Sequence, residues 1–118
     1  MSLPSAPLDY SQPFQVAIEL IGRRWSGSIL RALLERPMRF NELLTGIPQI
    51  SDQVLTERLR ELDTAGLVER LVHVGPPVRV AYRLTDRGKA LRAVVAAVDE
   101  WIATASAERR EHQQEATR

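Results

Sequence analysis

The sequence predicts a mainly α-helical chain that carries one small β-hairpin. Apolar residues recur at helical spacing in four segments before residue 66 and in one long segment after residue 85. Between them, two runs rich in β-branched residues, 67–74 and 79–84, are separated by a Gly-Pro-Pro sequence. Glycine and proline between such runs indicate a hairpin whose loop is longer than two residues.

The length of 118 residues is typical of one domain. Residues 1–12 show no apolar periodicity, and we expect a flexible arm there, ahead of a single domain over residues 13–118. The chain has no cysteine, which excludes disulfides and thiol redox chemistry. It shows no signal-peptide pattern and no apolar run of the roughly 20 residues that a membrane span requires. We therefore expect a cytoplasmic protein without membrane contact.

The first three predicted helices are short. The first spans residues 13–21, and the second begins at Trp25 or Ser26 and is stopped by Pro37. The third covers residues 41–45 and is closed by a glycine and a proline.

A fourth predicted helix, over about residues 51–65, has a clear start and a clear end. Ser51 is a good N-cap, and Gly66 matches the glycine that commonly follows a helix. Three leucines form one stripe that would face a core: Leu55, Leu59 and Leu62. Two helices joined by a glycine–proline turn, followed by a hairpin, predict a winged helix-turn-helix, with residues 51–65 as the recognition helix and about 72–82 as the wing.

The exposed face of the recognition helix carries side chains that suit base edges. Once the leucines are buried, this face holds Gln53, Thr56, Glu57 and Arg60, with Ser51 at its start. Glutamine can bond adenine bidentately, arginine can bond guanine, and glutamate can accept from the cytosine amino group. The alternative is a solvated face with a Glu57–Arg60 ion pair at i,i+3. The preceding helix and the following hairpin favour a sequence-specific contact with double-stranded DNA.

The basic charge is concentrated in the middle of the chain. The net charge is only +1, but residues 22–60 carry seven arginines and four acidic residues. Arginine suits phosphate and base-edge contacts. Arg24 and Arg39, each ahead of a helix, are candidates for phosphate contacts, and Arg79 in the wing could reach phosphate or a narrow minor groove. Each of the three could also simply face water.

No group of residues has catalytic or metal-binding spacing. The two histidines, His73 and His112, lack carboxylate or cysteine neighbours at ligand spacing. No serine lies in a glycine-flanked nucleophile elbow. We therefore expect neither an enzyme nor a cofactor or metal site.

The first helix and the final helix, predicted over about residues 86–110 with Thr85 as its cap, are more apolar than one small domain needs. Surplus apolar faces of this kind usually pack against a partner. A two-fold homodimer would present two recognition helices to a palindromic operator. The alternative is that the two helices cover each other within one monomer. The predicted interface consists of Phe14, Ala17, Leu20, Val94, Val98, Trp101 and Ile102.

Several motifs carry a resemblance to a known family. They are LIG at 20–22, Trp25, RFNEL at 39–43, LT at 55–56, RLREL at 58–62 and GLV at 66–68, followed after the wing by Tyr82, LT at 84–85 and Gly88. Over about residues 12–103 the sequence resembles the HxlR family of bacterial winged-helix regulators. The resemblance implies a homodimer joined through its first and last helices, which represses or activates transcription.

The sequence departs from that family at two places. Several members sense electrophiles, quinones or aldehydes through a cysteine before the proline of the first helix, but here Gln12 precedes Pro13. Thiol sensing therefore does not carry over, and the effector stays open. In the wing, Val78 precedes Arg79, and Ala81 stands where the family commonly has an acid, which leaves the wing contacts open.

Two other functions remain open from the sequence. One is a small-molecule receptor whose dimer interface holds an apolar pocket near Phe14, Trp25 and Trp101. The other is a winged-helix domain used only for protein contacts, which should bind DNA weakly and with little salt dependence.

Overall fold

The computed structural model describes residues 12–116. In chain order these residues form α1 (Gln12–Ile21), α2 (Ser26–Glu35), β1 (Met38–Arg39), α3 (Phe40–Gly46), α4 (Asp52–Thr64), β2 (Val68–His73), β3 (Arg79–Leu84), α5 (Asp86–Lys89) and α6 (Arg92–Ala116). This order confirms the predicted mainly α-helical class with a small β-hairpin. Residues 1–11, most of the predicted flexible arm, lie outside the described residues.

The recognition helix α4 has the predicted local signals. The Ser51 hydroxyl oxygen accepts from the Val54 backbone N–H at 3.1 Å. After the helix, Gly66 adopts a φ of 78°, in the left-handed region that glycine reaches without a steric penalty. Between these ends, the three predicted leucines are buried: Leu55, Leu59 and Leu62.

The hydrophobic core lies between α2, α3, α4 and the base of the hairpin. Its buried side chains are Ile29, Leu30, Leu33, Leu43, Ile47, Ile50, Leu55, Leu59, Leu62, Leu67, Val68 and Leu84. Because α4 buries only its leucine stripe here, the opposite side of the helix is left at the surface.

The sheet contains one strand more than the sequence predicted. The hairpin pairs β2 with β3 from Val68–Leu84 to His73–Arg79. Strand β1, only two residues long, adds to the other edge of β3 in the order β1-β3-β2. A strand of two residues is too short to show an alternating pattern of apolar residues in the sequence. It is recognised only from its pairing with β3. Alternation places Val68 and Leu84 on the inner sheet face, toward the core.

The prediction of one continuous final helix was wrong, because the chain turns at residues 90–91 between α5 and α6. The Thr85 hydroxyl caps α5 by accepting from the Gly88 backbone N–H at 3.1 Å, and it donates to the Gly66 carbonyl oxygen at 2.6 Å. A Cβ atom on Gly88 would lie 2.1 Å from the Leu67 carbonyl oxygen. The short α5 is therefore held against the end of α4, and α6 begins after the turn at residues 90–91 and extends past residue 110 to Ala116.

Helix α6 is joined to α2 by polar contacts. Arg31 of α2 forms an ion pair with Asp99, and the hydrogen bond from this guanidinium lowers the pKa of the Asp99 carboxyl group. Arg92, at the start of α6, also donates to the carbonyl oxygen of Leu34 in α2, at 3.2 Å. Among the described helices, none has the length and apolar character needed to cross a membrane.

Candidate DNA-binding surface

The exposed face of α4 presents the predicted base-reading residues side by side. Gln53, Thr56 and Arg60 are exposed, and Glu57 is partly exposed. The Thr56 hydroxyl donates to the Asp52 carbonyl oxygen at 2.9 Å, which leaves its oxygen available as an acceptor. The Ser51 hydroxyl caps the helix, so Ser51 contributes to this surface by fixing the start of α4.

The alternative Glu57–Arg60 pairing is not what the structure shows. The nearest cation to Glu57 is Arg58, whose Nη1 lies 3.9 Å from Oε2, at the outer limit of an ion pair. Within residues 12–116, Arg60 forms neither an ion pair nor a hydrogen bond. Its guanidinium therefore reaches the surface with all of its donors available.

Arg58, which the sequence analysis did not select, holds α4 in place. Its side chain is only 11% exposed. The Nε atom donates to the Arg24 carbonyl oxygen at 3.0 Å, and Nη1 donates to Glu61 Oε1 at 3.2 Å. The same Glu61 oxygen lies 3.1 Å from Arg23 Nη1. The start of α2 and the recognition helix are thus connected through charged hydrogen bonds.

Arg24 lies at the turn that this network supports. Its guanidinium is placed over the Trp25 ring, 5.0 Å from the centroid, within the range of a cation–π contact. Trp25 itself adopts a φ of 78°, which is uncommon for a residue with a side chain. The predicted phosphate-contacting residue is therefore exposed and held in position by an aromatic ring.

Arg39 and Arg79 come from distant parts of the sequence and meet beside the wing. Arg39 pairs with Ala81 in the sheet, so it shares the outer sheet face with Arg79, two residues along β3. Both line one cleft between the start of α3 and the wing loop. The Arg39 backbone N–H donates to Glu42 at 3.0 Å, and this bond, with the Arg36 side chain, lowers the pKa of Glu42.

A second missed residue is Arg70 of β2. It is exposed and pairs with Tyr82, so it lies on the inner sheet face, and it lines a cleft together with Arg60 of α4. The alternation of side chains along a strand would have placed Arg70 on the same face as Val68, but the sequence did not show that α4 runs beside this face.

In the part of the chain that the structure describes, no group of three or more potential ligands is arranged to hold a metal.

Comparisons with known proteins agree with this geometry. A family model described as HxlR-like helix-turn-helix matches residues 20–110. The HTH-type transcriptional regulator YodB of Bacillus subtilis (strain 168) is 45% identical over 85 residues, which cover 72% of this chain and 76% of YodB.

Solved structures give the same assignment. The reduced form of YodB matches with a TM-score of 0.73 at 42% identity, covering 77% of this chain and 89% of that one. Quinone-bound YodB matches with a TM-score of 0.71 at 38% identity, covering 80% and 99%. A MarR-family transcriptional regulator from Enterococcus faecalis V583 matches with a TM-score of 0.77 at 29% identity, covering 91% of this chain and 99% of that one. This match confirms the predicted winged-helix class.

These relatives are transcriptional regulators rather than enzymes, in agreement with the prediction from the sequence. The chain therefore belongs to the HxlR-like helix-turn-helix family and is a DNA-binding transcriptional regulator.

Proposed function

We propose that this regulator acts as a homodimer on a palindromic operator, with one α4 helix in each of two successive major grooves. The observation that carries the proposal is the outward face of α4, where base-reading side chains lie opposite the buried leucines. In helix-turn-helix proteins the N-terminal half of the recognition helix meets the base edges. Gln53, Glu57 and Arg60 would make these contacts, since their donors and acceptors match adenine, cytosine and guanine.

The arginines around α4 would position the protein on the phosphate backbone. Arg24 is exposed at the turn before α2, and Arg39 and Arg79 line one cleft beside the wing. Phosphate contacts fix register and orientation without reading sequence. Because its target is DNA, we place this regulator in the cytoplasm.

The apolar faces of α1 and α6 support the dimer. Phe14 of α1 is 62% exposed, and Trp101 and Ile102 of α6 are 72% and 51% exposed. The alternative, in which the two helices cover each other within one chain, would bury these side chains. A soluble monomer rarely leaves so many large apolar side chains together in water. A second copy that packs α1 and α6 against the same helices would remove them from water.

Reversible binding of a small molecule is a second candidate function. A cleft of about 300 Å³ lies between α2 and α6, and its lining is mainly apolar: Ile21, Leu30, Leu91, Val94, Val95 and Val98. The pocket was predicted near Phe14, Trp25 and Trp101, none of which lines this cleft. YodB has been solved with a bound quinone. A ligand of this chain would act without a thiol, because it contains no cysteine.

The test is selection of DNA from a random duplex pool, followed by measurement of mass in solution. The proposal expects an enriched two-fold symmetric sequence with half-sites about one helical turn apart, and two chains per duplex. Enrichment of a single half-site bound by one chain would contradict the dimer. Absence of any enrichment, with weak and salt-independent DNA binding, would instead support a domain used only for protein contacts.

A further inference from the structure

A narrow cleft separates the recognition helix from the wing, and two arginines line it. Arg60 of α4 forms one side, and Arg70 of β2 forms the other. The cleft encloses about 290 Å³, and its remaining lining is Thr56, Leu59, Asp63 and Tyr82. The two guanidinium groups in this lining suit a small anionic group.

The charge in this cleft is not balanced. Within residues 12–116, neither Arg60 nor Arg70 forms an ion pair or a hydrogen bond, although several other arginines do. The one acidic residue in the lining, Asp63, lies more than 4.0 Å from both guanidinium groups, since it forms no salt bridge with them. Two cations that face one space repel each other, and an anion placed between them would relieve the repulsion.

The register of the hairpin explains why Arg70 is placed there. Arg70 pairs with Tyr82 and lies between Val68, which is buried, and Val72 on the inner sheet face. This face begins at the core and continues outward beside α4 toward the wing. When a recognition helix enters the major groove and the wing reaches the adjoining groove, a sugar–phosphate chain passes between the two elements.

We propose that this cleft is a binding site for one phosphodiester group of the DNA backbone, with Arg70 as its main ligand. The planar guanidinium of Arg70 can donate two hydrogen bonds to the non-bridging oxygens. Arg60 then faces a neutralised cleft and can extend to a base edge. The inference rests on the proposed binding of α4 in the major groove and adds a contact that the sequence did not predict.

The first experiment compares two arginines on opposite faces of the same sheet. Arg70→Ala should lower affinity about eightfold at 0.1 M salt, equally for operator and random DNA, and should reduce the salt slope by about 0.9, the value for one phosphate. Arg83→Ala is the control, because Arg83 is exposed on the outer face and is paired with Glu69. Arg70→Lys, which keeps the charge, should retain most of the affinity.

The outcomes separate this inference from the proposed function. If the wild-type chain binds the selected operator and Arg70→Ala binds it with unchanged affinity and salt slope, the phosphate site is wrong and the reading by α4 stands. If the wild-type chain selects no DNA, the proposed function itself fails. Equal losses for Arg70→Ala and Arg83→Ala would also overturn the inference, because they would reflect general charge.

A second experiment locates the phosphate. Operator duplexes carrying one neutral methylphosphonate at successive positions should show one position in each half-site where the affinity loss disappears in Arg70→Ala. If the loss caused by Arg70→Ala adds to the loss caused by the methylphosphonate at every position, a direct contact between Arg70 and one phosphate is contradicted. Inorganic phosphate, exchanged for chloride at matched ionic strength, should displace both proteins from DNA equally. Selective displacement of the wild-type protein at millimolar phosphate would show a site for free phosphate instead.

Discussion

Arg58 in the recognition helix donates a hydrogen bond from Nε to the carbonyl oxygen of Arg24, over 3.0 Å. This bond connects α4 to the turn that follows α1, one of the two helices proposed for the dimer interface. The nearly buried guanidinium also contacts Glu61, which in turn pairs with Arg23. The orientation of α4 therefore depends on the turn between the first two helices as well as on its leucines.

Removal of this link should destabilise the fold. Arg58→Ala should lower the free energy of unfolding by about 1–3 kcal/mol, because the Arg24 carbonyl oxygen and the Glu61 carboxylate lose charged hydrogen bonds. The measurement is denaturation by urea. Arg60→Ala is the matched control on the same helix, and as an exposed residue without contacts it should change stability by less than about 0.5 kcal/mol. Equal stability of the two variants would show that the Arg58 contacts contribute nothing.

Arg60→Ala should relax base preference at one position of each half-site. The loss of a bidentate guanine contact should cost about 1–3 kcal/mol of discrimination against the other bases. Binding to operators substituted at each position in turn measures the effect. A proportional loss on operator and random DNA would mean that Arg60 contacts only phosphate.

Arg79→Ala should weaken binding to most sequences while leaving base preference largely unchanged. Arg79 lies on the outer sheet face beside Arg39 and near the wing loop, where contacts with phosphate or minor groove are expected. Affinity measured over a range of salt concentrations should show a shallower slope. An unaltered affinity and slope would exclude Arg79 from the DNA interface.

Trp101→Glu should convert the proposed dimer to a monomer. The substitution places a charge on the exposed apolar face of α6, and burial of an unpaired carboxylate at an interface is costly. Light scattering measures the mass. Ala103→Glu, two positions along the same helix and on another side, is the control and should remain dimeric. A dimeric Trp101→Glu protein would contradict the assignment of α6 to the interface.

Operator affinity should not respond to diamide. Diamide acts by oxidising thiols, and the chain has no cysteine. Gln12, at the start of α1, stands where several members of the resembled family have a cysteine. Its only sulfur atoms belong to Met1 and Met38, which cannot form a cross-link. Footprint titrations with and without diamide provide the measurement. Prompt release of DNA on addition of diamide would refute this reasoning.

The order and boundaries of the first four helices follow from local features of the sequence. The Ser51 cap, the left-handed Gly66 and the leucine stripe of α4 each depend on residues within one or two helical turns. The two runs rich in β-branched residues and the Gly-Pro-Pro sequence between them likewise predicted the hairpin. These features determined the fold class and the face of α4 that is available to DNA.

Only the tertiary structure decided which distant residues meet. The pairing of β1 with β3, the turn between α5 and α6, and the position of Arg70 beside α4 depend on packing between segments far apart in the chain. The bond from Arg58 to Arg24 joins residues 34 positions apart, and no periodicity encodes such a contact. Local hydrogen bonds and side-chain spacing set each element, whereas the burial of the shared core places the elements side by side and so assembles the DNA-binding surface.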